Sequence, residues 1–451
     1  MTIADDRAAP SARSIGLTSA PLLATVLRLA LPAVGTTLLQ VLFNITDTFW
    51  VGRTLGPAAL AGVSSAGYSL WIIITTGELL GAGLTAVAAR RHGEGQPALA
   101  ARAAGTALVL AVVIGVLVAM LGLTGLDPLF HLMQLPADAD REARRFLVVQ
   151  CVGSVLIYGY FVVEAAFRSA GNTRTPFLLL AVSVLLNLVL DPLMILGIGP
   201  FPAMGVYGAA LATVLTRGFG FVAGLALLIR RGHIRPAFDS AAAWNIMRIG
   251  TPVMLAGSLF SLSYIFLVPI VGRFGTPALA ALGVGHKVEG VSYMIAVGFG
   301  LAASTLVGQN LGAGQPARAR AAGWLTATLA VVPIGMLGVI FSLWPEQLAE
   351  VFTRDEATAG AAALYLLAFA VVQPFIAFEE ALFGGLSGAG YTVWPMVWVI
   401  LLSVVRIPLA LWAAVRGGLA GVWLVLAVTA MGRGVAMLAL WRWGRWERAK
   451  A

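Results

Sequence analysis

A chain of 451 residues that is 59% hydrophobic and only 11% charged, with mean hydropathy +0.92, is not a soluble domain, where about a quarter of residues are charged. Its net charge of +9 is carried almost wholly by arginine, Lys287 and Lys450 being the only lysines; the basic residues cluster in short loops between apolar runs, so they report topology and not a nucleic-acid partner. The single cysteine, Cys151, excludes an intrachain disulfide and a cysteine-based metal cluster.

Residues 1–26 are polar and small, lack the order of a signal peptide, and are expected to form a disordered cytoplasmic tail. Apolar runs then fall at 27–52, 59–89, 103–125, 145–169, 177–198 and 206–230. After a basic linker at 231–246 come 247–272, 279–308, 321–344, 358–387, 393–415 and 418–441, with a short tail at 444–451. The predicted fold is an all-α polytopic membrane protein. Its twelve transmembrane helices form two six-helix lobes, 27–230 and 247–443. Loops on the side of the termini hold eighteen basic residues against seven on the other side, which predicts cytoplasmic termini in the inner membrane.

The two lobes repeat one another. Val51-Gly-Arg53 and Pro57 return as Val271-Gly-Arg273 and Pro277, and Gly93-Glu-Gly-Gln-Pro97 returns as Gly312-Ala-Gly-Gln-Pro316. Arg102-Ala-Ala-Gly105 matches Arg320-Ala-Ala-Gly323, Ala170-Gly171 matches Ala389-Gly390, and Gly205 through Arg217 matches Gly421 through Arg433. Offsets stay between 216 and 220. Six spans is an even number, so both copies enter from one side, related by a pseudo-two-fold along the membrane normal. The Gly-x-Gly-Gln-Pro loops lack the strand and the Lys-Ser/Thr of a phosphate loop and read as tight turns.

A carboxylate in hydrocarbon is costly and marks an ion or substrate site. Asp47 stands in the first span with Asn44 three residues before it; Asn187 and Asp191 share one face of the fifth span. Pro192 follows directly and loosens that helix. The repeat mates are Leu267 for Asp47, and Ser403 and Ile407 for Asn187 and Asp191, so these acids are confined to the first copy. A carboxylate, an amide oxygen and freed carbonyls suit a proton relay or a hard monovalent cation, including Na+ at Asp47, Asn187 and Asp191. Glu78, in the second span, is placed either to meet a cationic substrate or to pair with an arginine. Glu164 and Arg168 are spaced for an ion pair. Glu379 and Glu380 are adjacent, so at most one is expected to face a cavity, where Phe43 and Tyr158 are further candidates. Glu289 reads as part of a local cluster with Lys287 and His286, Arg217 and Arg433 as mates with a shared structural role, and Arg406 as a partner for Glu379 or Glu380. His92, His131, His233 and His286 fall in or beside loops, where exposure is the expectation, and no nucleophile–base set of an enzyme is present.

Twelve spans as six plus six, Asp47-Thr-Phe-Trp-Val-Gly followed by Leu55-Gly56, and Arg168-Ser-Ala-Gly-Asn-Thr-Arg-Thr-Pro176 together resemble a multidrug and toxic compound extrusion (MATE) transporter, over about Leu29 to Arg442. Asn187-x-x-x-Asp191 with Asp47 is similar to the DinF-like branch, and this resemblance implies that these residues form the proton or sodium site. The seventh span carries no acid, unlike the branch that uses one there. The expected function is a secondary antiporter exporting amphipathic cationic compounds against protons or Na+, with no cofactor, working as a monomer in the bilayer. Pro32 and Pro252, and Pro192 and Pro408, are matched hinge candidates. A lipid or lipid-linked precursor flippase on a related scaffold is the alternative; it needs a basic cavity, whereas the candidates here are mainly acidic.

Overall fold

The protein's computed structural model describes residues 16–126 and 136–449. The expectations for residues 1–15 and for His131 lie outside them. The helices are α1 (Leu22–Leu55), α2 (Pro57–Gly93), α3 (Pro97–Thr124), α4 (Ala137–Val152), α5 (Ser154–Ser169), α6 (Arg174–Leu196) and α7 (Val206–Arg230) in the first lobe. The second has α8 (Ser240–Gly272), α9 (Thr276–Gly312), α10 (Pro316–Leu343), α11 (Pro345–Glu350), α12 (Glu356–Ala370), α13 (Gln373–Gly388) and α14 (Val393–Trp443).

Among the described residues nine helices are long and apolar enough to span a membrane, and α4–α5 and α12–α13 are two more spans, bent by 53° and 59°. The 51-residue α14 is two spans joined at Gly418, whose φ of 61° breaks the helix, so the total is twelve. Each bent pair corresponds to one span expected from the sequence, 145–169 and 358–387. The first bend falls at Gly153, between α4 and α5, and the second just before Pro374, which stands in the first turn of α13 and has no N–H to give the ladder. The repeated loops are turns as expected. Gly95 and Gly314 adopt φ of 72° and 69°, and Pro97 and Pro316 begin the next helix, where a missing N–H costs nothing.

Each lobe has its own apolar core, but the lobes exchange their first turns. Val26 and Leu29 of α1 are buried in the second lobe's core. Their mates Ile246 and Ile249 of α8 are buried in the first lobe's core. This end of the bundle, which bears both termini, is where the lobes close on one another. A methyl added at Gly93 would lie 2.0 Å from the Gln309 carbonyl oxygen, and one at Gly312 would lie 2.1 Å from that of Arg90. Gly83 meets the Ile246 carbonyl and Gly250 the Leu79 carbonyl in the same manner. Only glycine lets two helix backbones approach so closely.

Three boundary expectations change. Residues 16–20 form a turn rather than a loose tail: Leu17 is buried, and Arg318 donates to the Leu17 and Ala20 carbonyls. The linker ends at Asp239, which caps α8 by accepting from Ala241 and Ala242, and Arg235 N–H donates to the Ala101 carbonyl at 3.0 Å. Burial and the neighbouring Arg231 hold the half-buried His233 imidazole below its ordinary pKa. The C-terminal segment is likewise fixed, with Trp446 buried and stacked on Trp441 at 4.1 Å.

Candidate functional site

Between the lobes lies a cavity of about 270 Å³ lined by residues from both. Asp47 stands at its first-lobe wall. The Thr213 hydroxyl of α7 donates to Asp47 Oδ2 at 2.8 Å, and Asn187 Nδ2 donates to Asp191 Oδ1 at 3.0 Å. The Asp47 carboxyl neighbours the side chains of both Asp191 and Asn187. The structure therefore joins α1, α6 and α7 through the three residues singled out in sequence, plus Thr213. All four are buried. Asp47 Oδ1, Asn187 Oδ1 and Asp191 Oδ2 are buried with no hydrogen-bond partner. These oxygen donors, with the threonine hydroxyl, have the chemistry for a proton or a hard monovalent cation. Among the described residues no group of three or more His, Cys, Asp or Glu is arranged to hold a metal ion.

Asn44 is not part of this cluster. It is exposed and lines the cavity, because a three-residue step does not bring its side chain onto the partners of Asp47; Thr213 takes the place expected for it. Thr213 was missed, though a signal existed: it lies within the repeated stretch 205–217, one helical turn before Arg217.

The equivalent place in the second lobe is built differently. The mate of Thr213 is Thr429, and its hydroxyl accepts from Arg406 Nε at 2.8 Å. Arg406 is 1% exposed, with Nη1 3.5 Å from the Tyr264 hydroxyl and the guanidinium near the faces of Phe260 and Tyr264. It does not pair with Glu379 or Glu380 as expected, because its guanidinium is directed to Thr429 and Tyr264. Glu379 instead pairs with Arg433 at 2.9 Å. Glu289 accepts from the Tyr365 hydroxyl at 2.6 Å rather than forming a cluster with Lys287, and His286 is packed at 4.1 Å on Tyr264, inside α9 and away from any loop.

Other candidates divide. Phe43, Glu78, Glu379 and Glu380 all line the cavity; both adjacent glutamates reach it, Glu379 paired with Arg433 and Glu380 half-buried. Tyr158 does not line it: its fully buried ring packs against Gly77 of α2. Glu164 and Arg168 form the expected pair, at 3.7 Å and buried. Pro32, Pro192, Pro252 and Pro408 all lie inside helices that run on past them.

Comparison with known proteins completes the picture. The family profile described as MatE matches residues 32–193 and 252–412. A probable multidrug resistance protein NorM of Thermotoga maritima is 30% identical over 444 residues, covering 94% of this chain and 93% of that protein. A FAD transporter of Shewanella oneidensis is 28% identical over 431 residues, covering 93% and 94%. Among solved structures, a MATE protein in its straight conformation superposes with TM-score 0.88 at 23% identity, covering 96% of this chain and 97% of that one. The Vibrio cholerae transporter VcmN in its bent form gives 0.84 at 21% identity, covering 94% and 97%.

Proposed function

The chain belongs to the MatE family of multidrug efflux transporters, and from that premise we propose that it exports amphipathic, cationic organic compounds in exchange for protons or Na+, with Asp47, Asn187 and Asp191 holding the coupling ion. It is a transporter and not an enzyme. The observation that carries the reading is the contrast at the paired threonines. Where the second lobe supplies its own cation, Arg406, the first holds two neighbouring carboxyls and an amide with one unpartnered oxygen each. Facing carboxylates in low dielectric repel one another unless a proton or cation lies between them.

Coupling follows from α1. One helix carries Asp47 into the ion cluster and Phe43 and Asn44 into the cavity. Ion entry that draws Asp47 towards α6 and α7 therefore reshapes the substrate cavity, and Pro32 and Pro192 give these helices a weak point at which to bend. Glu78 and Glu380 meet the positive charge of the substrate. With the termini in the cytoplasm of an inner-membrane protein, the glycine seam closes the cavity on the cytoplasmic side, so this state exchanges with the outside.

The test is efflux of ethidium from proteoliposomes under an imposed pH or sodium gradient, wild type beside Asp47→Asn. Efflux driven by pH alone and lost in the variant identifies proton exchange; efflux driven by sodium keeps the site and changes the ion. Absence of efflux under both gradients overturns the reading, and lipid scrambling is then the activity to assay.

A further inference from the structure

Three arginines line the cavity: Arg168, Arg217 and Arg433. Two have carboxylate partners, Arg168 with Glu164 at 3.7 Å and Arg433 with Glu379 at 2.9 Å. Arg217 makes no ion pair and no hydrogen bond among the described residues. It is half-buried, held over the ring of Phe43 at 4.9 Å and that of Tyr160 at 5.6 Å. Ring faces hold a guanidinium in place without using its in-plane N–H donors, and none of these nitrogens is among the buried unpartnered atoms. The donors are open to the cavity.

The repeat shows why the two lobes differ. Arg217 and Arg433 are mates at an offset of 216, and Glu379 corresponds to Tyr160 at 219, the offset that also relates Ala170-Gly171 to Ala389-Gly390. The second lobe therefore neutralises its arginine from this position, while the first places an aromatic ring there. Nearby acids do not stand in for the missing partner. Asp47 and Glu164 lie near enough to feel the charge of Arg217, but among the described residues neither is within ion-pair distance of it; Asp47 accepts from Thr213 and Glu164 pairs with Arg168. An unpaired guanidinium inside a membrane protein is costly and calls for a ligand.

We infer that Arg217 is an anion-binding subsite that selects aromatic substrates bearing a carboxylate together with a cationic group. The cationic end is set by Glu78 and Glu380, which line the same cavity and have no basic partner within ion-pair distance among the described residues. Five lining carboxylates (Asp47, Glu78, Glu164, Glu379 and Glu380) against three arginines disfavour a plain anion. A zwitterion satisfies both ends. This rests on the cavity being the substrate site, and the experiment separates the two claims.

Equilibrium binding of a carboxy-rhodamine and of its methyl ester to the purified full chain in nanodiscs reads the subsite directly, since the dyes differ only in the anion. Arg217→Gln is expected to weaken the free acid about tenfold or more and to leave the ester within about twofold. Tyr160→Glu, which installs the second lobe's partner, gives the same split, and Arg217→Lys keeps part of the preference. Unchanged ester binding and thermal unfolding report an intact fold. Equal weakening of both dyes, no weakening of either, or a wild type that fails to bind the free acid overturns the subsite. Gradient-driven efflux of the ester is run in parallel: if the binding split holds while no ester moves, Arg217 keeps its assignment and export is the claim that fails.

Discussion

Thr213 and Thr429 occupy one position in two copies of the same scaffold, and their hydroxyls face opposite charges. Thr213 donates to a carboxylate, Asp47, whereas Thr429 accepts from a guanidinium, Arg406. Around Thr429 the mates of the acids are Leu267 and Ile407, and the positive charge is covalently fixed. Around Thr213 each of the two carboxyls keeps one oxygen without a partner, and the Asn187 amide oxygen is a third. A built-in cation cannot leave, so the second lobe is a fixed support at this point. On the proposed reading the first lobe is the one whose charge changes during a cycle, so that duplication keeps the packing in both while exchange is confined to one.

The largest effect comes from removing the acids. Asp47→Asn and Asp191→Asn are each expected to reduce gradient-driven efflux to the leak of empty proteoliposomes. Leu267→Asp in the Asp47→Asn background does not restore it, because the Thr429 side of that lobe is already occupied by Arg406. Recovery in the double variant would show that the lobes are interchangeable and break the contrast. Thr213→Val keeps both acids but strips the donor from Asp47; removing a hydrogen bond to a charged group costs about 1.5–3 kcal/mol, so coupling weakens without vanishing, read as a shift in the pH or sodium dependence of efflux.

Arg406→Leu tests the other half of the contrast. It removes hydrogen bonds from a fully buried guanidinium to Thr429 and Tyr264, and the expected loss of stability is about 2–3 kcal/mol, measured by thermal unfolding in detergent. Ion selectivity in the variant stays that of wild type. A change in the coupling ion would instead place Arg406 in the exchange machinery.

The charges of the first lobe were legible in the sequence because ionised groups are rare in apolar spans, and each one stands out against its repeat mate. Asp47 and Asp191 were singled out that way, with Asn187 on the same helix face, while the twelve spans were read from the apolar runs and the duplication from the repeated motifs. Contacts within the bundle were not. In a membrane helix almost every face is apolar, so periodicity does not say which side meets protein and which meets lipid. That is why Tyr158 was expected at the cavity and lies in the core, and why Asn44 was taken as the companion of Asp47 while Thr213 was missed. Arg406 was misassigned for a related reason: sequence shows a charge but not the direction in which its long side chain runs. The bends at Gly153 and before Pro374 escaped because hydropathy stays high through a break.

The seam supplies an effect of intermediate size in which the lobes should behave alike. Gly93 and Gly312 press on the Gln309 and Arg90 carbonyls in mated positions, so Gly93→Ala and Gly312→Ala should each cost the closed seam about 1–3 kcal/mol through overpacking. The population then moves towards a state open at the end carrying the termini. Labelling of a cysteine at Thr85, which lines the cavity, by a membrane-impermeant maleimide from that side reads the shift, with Cys151 replaced by serine. Equal labelling in the two variants preserves the symmetry of the seam; labelling in one alone places the gate in a single lobe.

The smallest effect separates the matched prolines. Each removes one backbone donor from a helix that continues past it, so Pro192→Ala and Pro408→Ala both allow one further backbone hydrogen bond. Each should raise the unfolding temperature slightly, by a fraction of the ~3 kcal/mol that an interior proline can cost. Their transport phenotypes should differ. Pro192 stands beside Asp191, and on the proposed reading it lets α6 yield when the coupling ion enters, so stiffening it is expected to slow efflux. Pro408 follows Ile407 in a lobe whose cation is fixed, and Pro408→Ala leaves the rate near that of wild type. If both variants slow efflux alike, the helices bend in concert, and the division between an exchanging lobe and a supporting one holds for charge but not for motion.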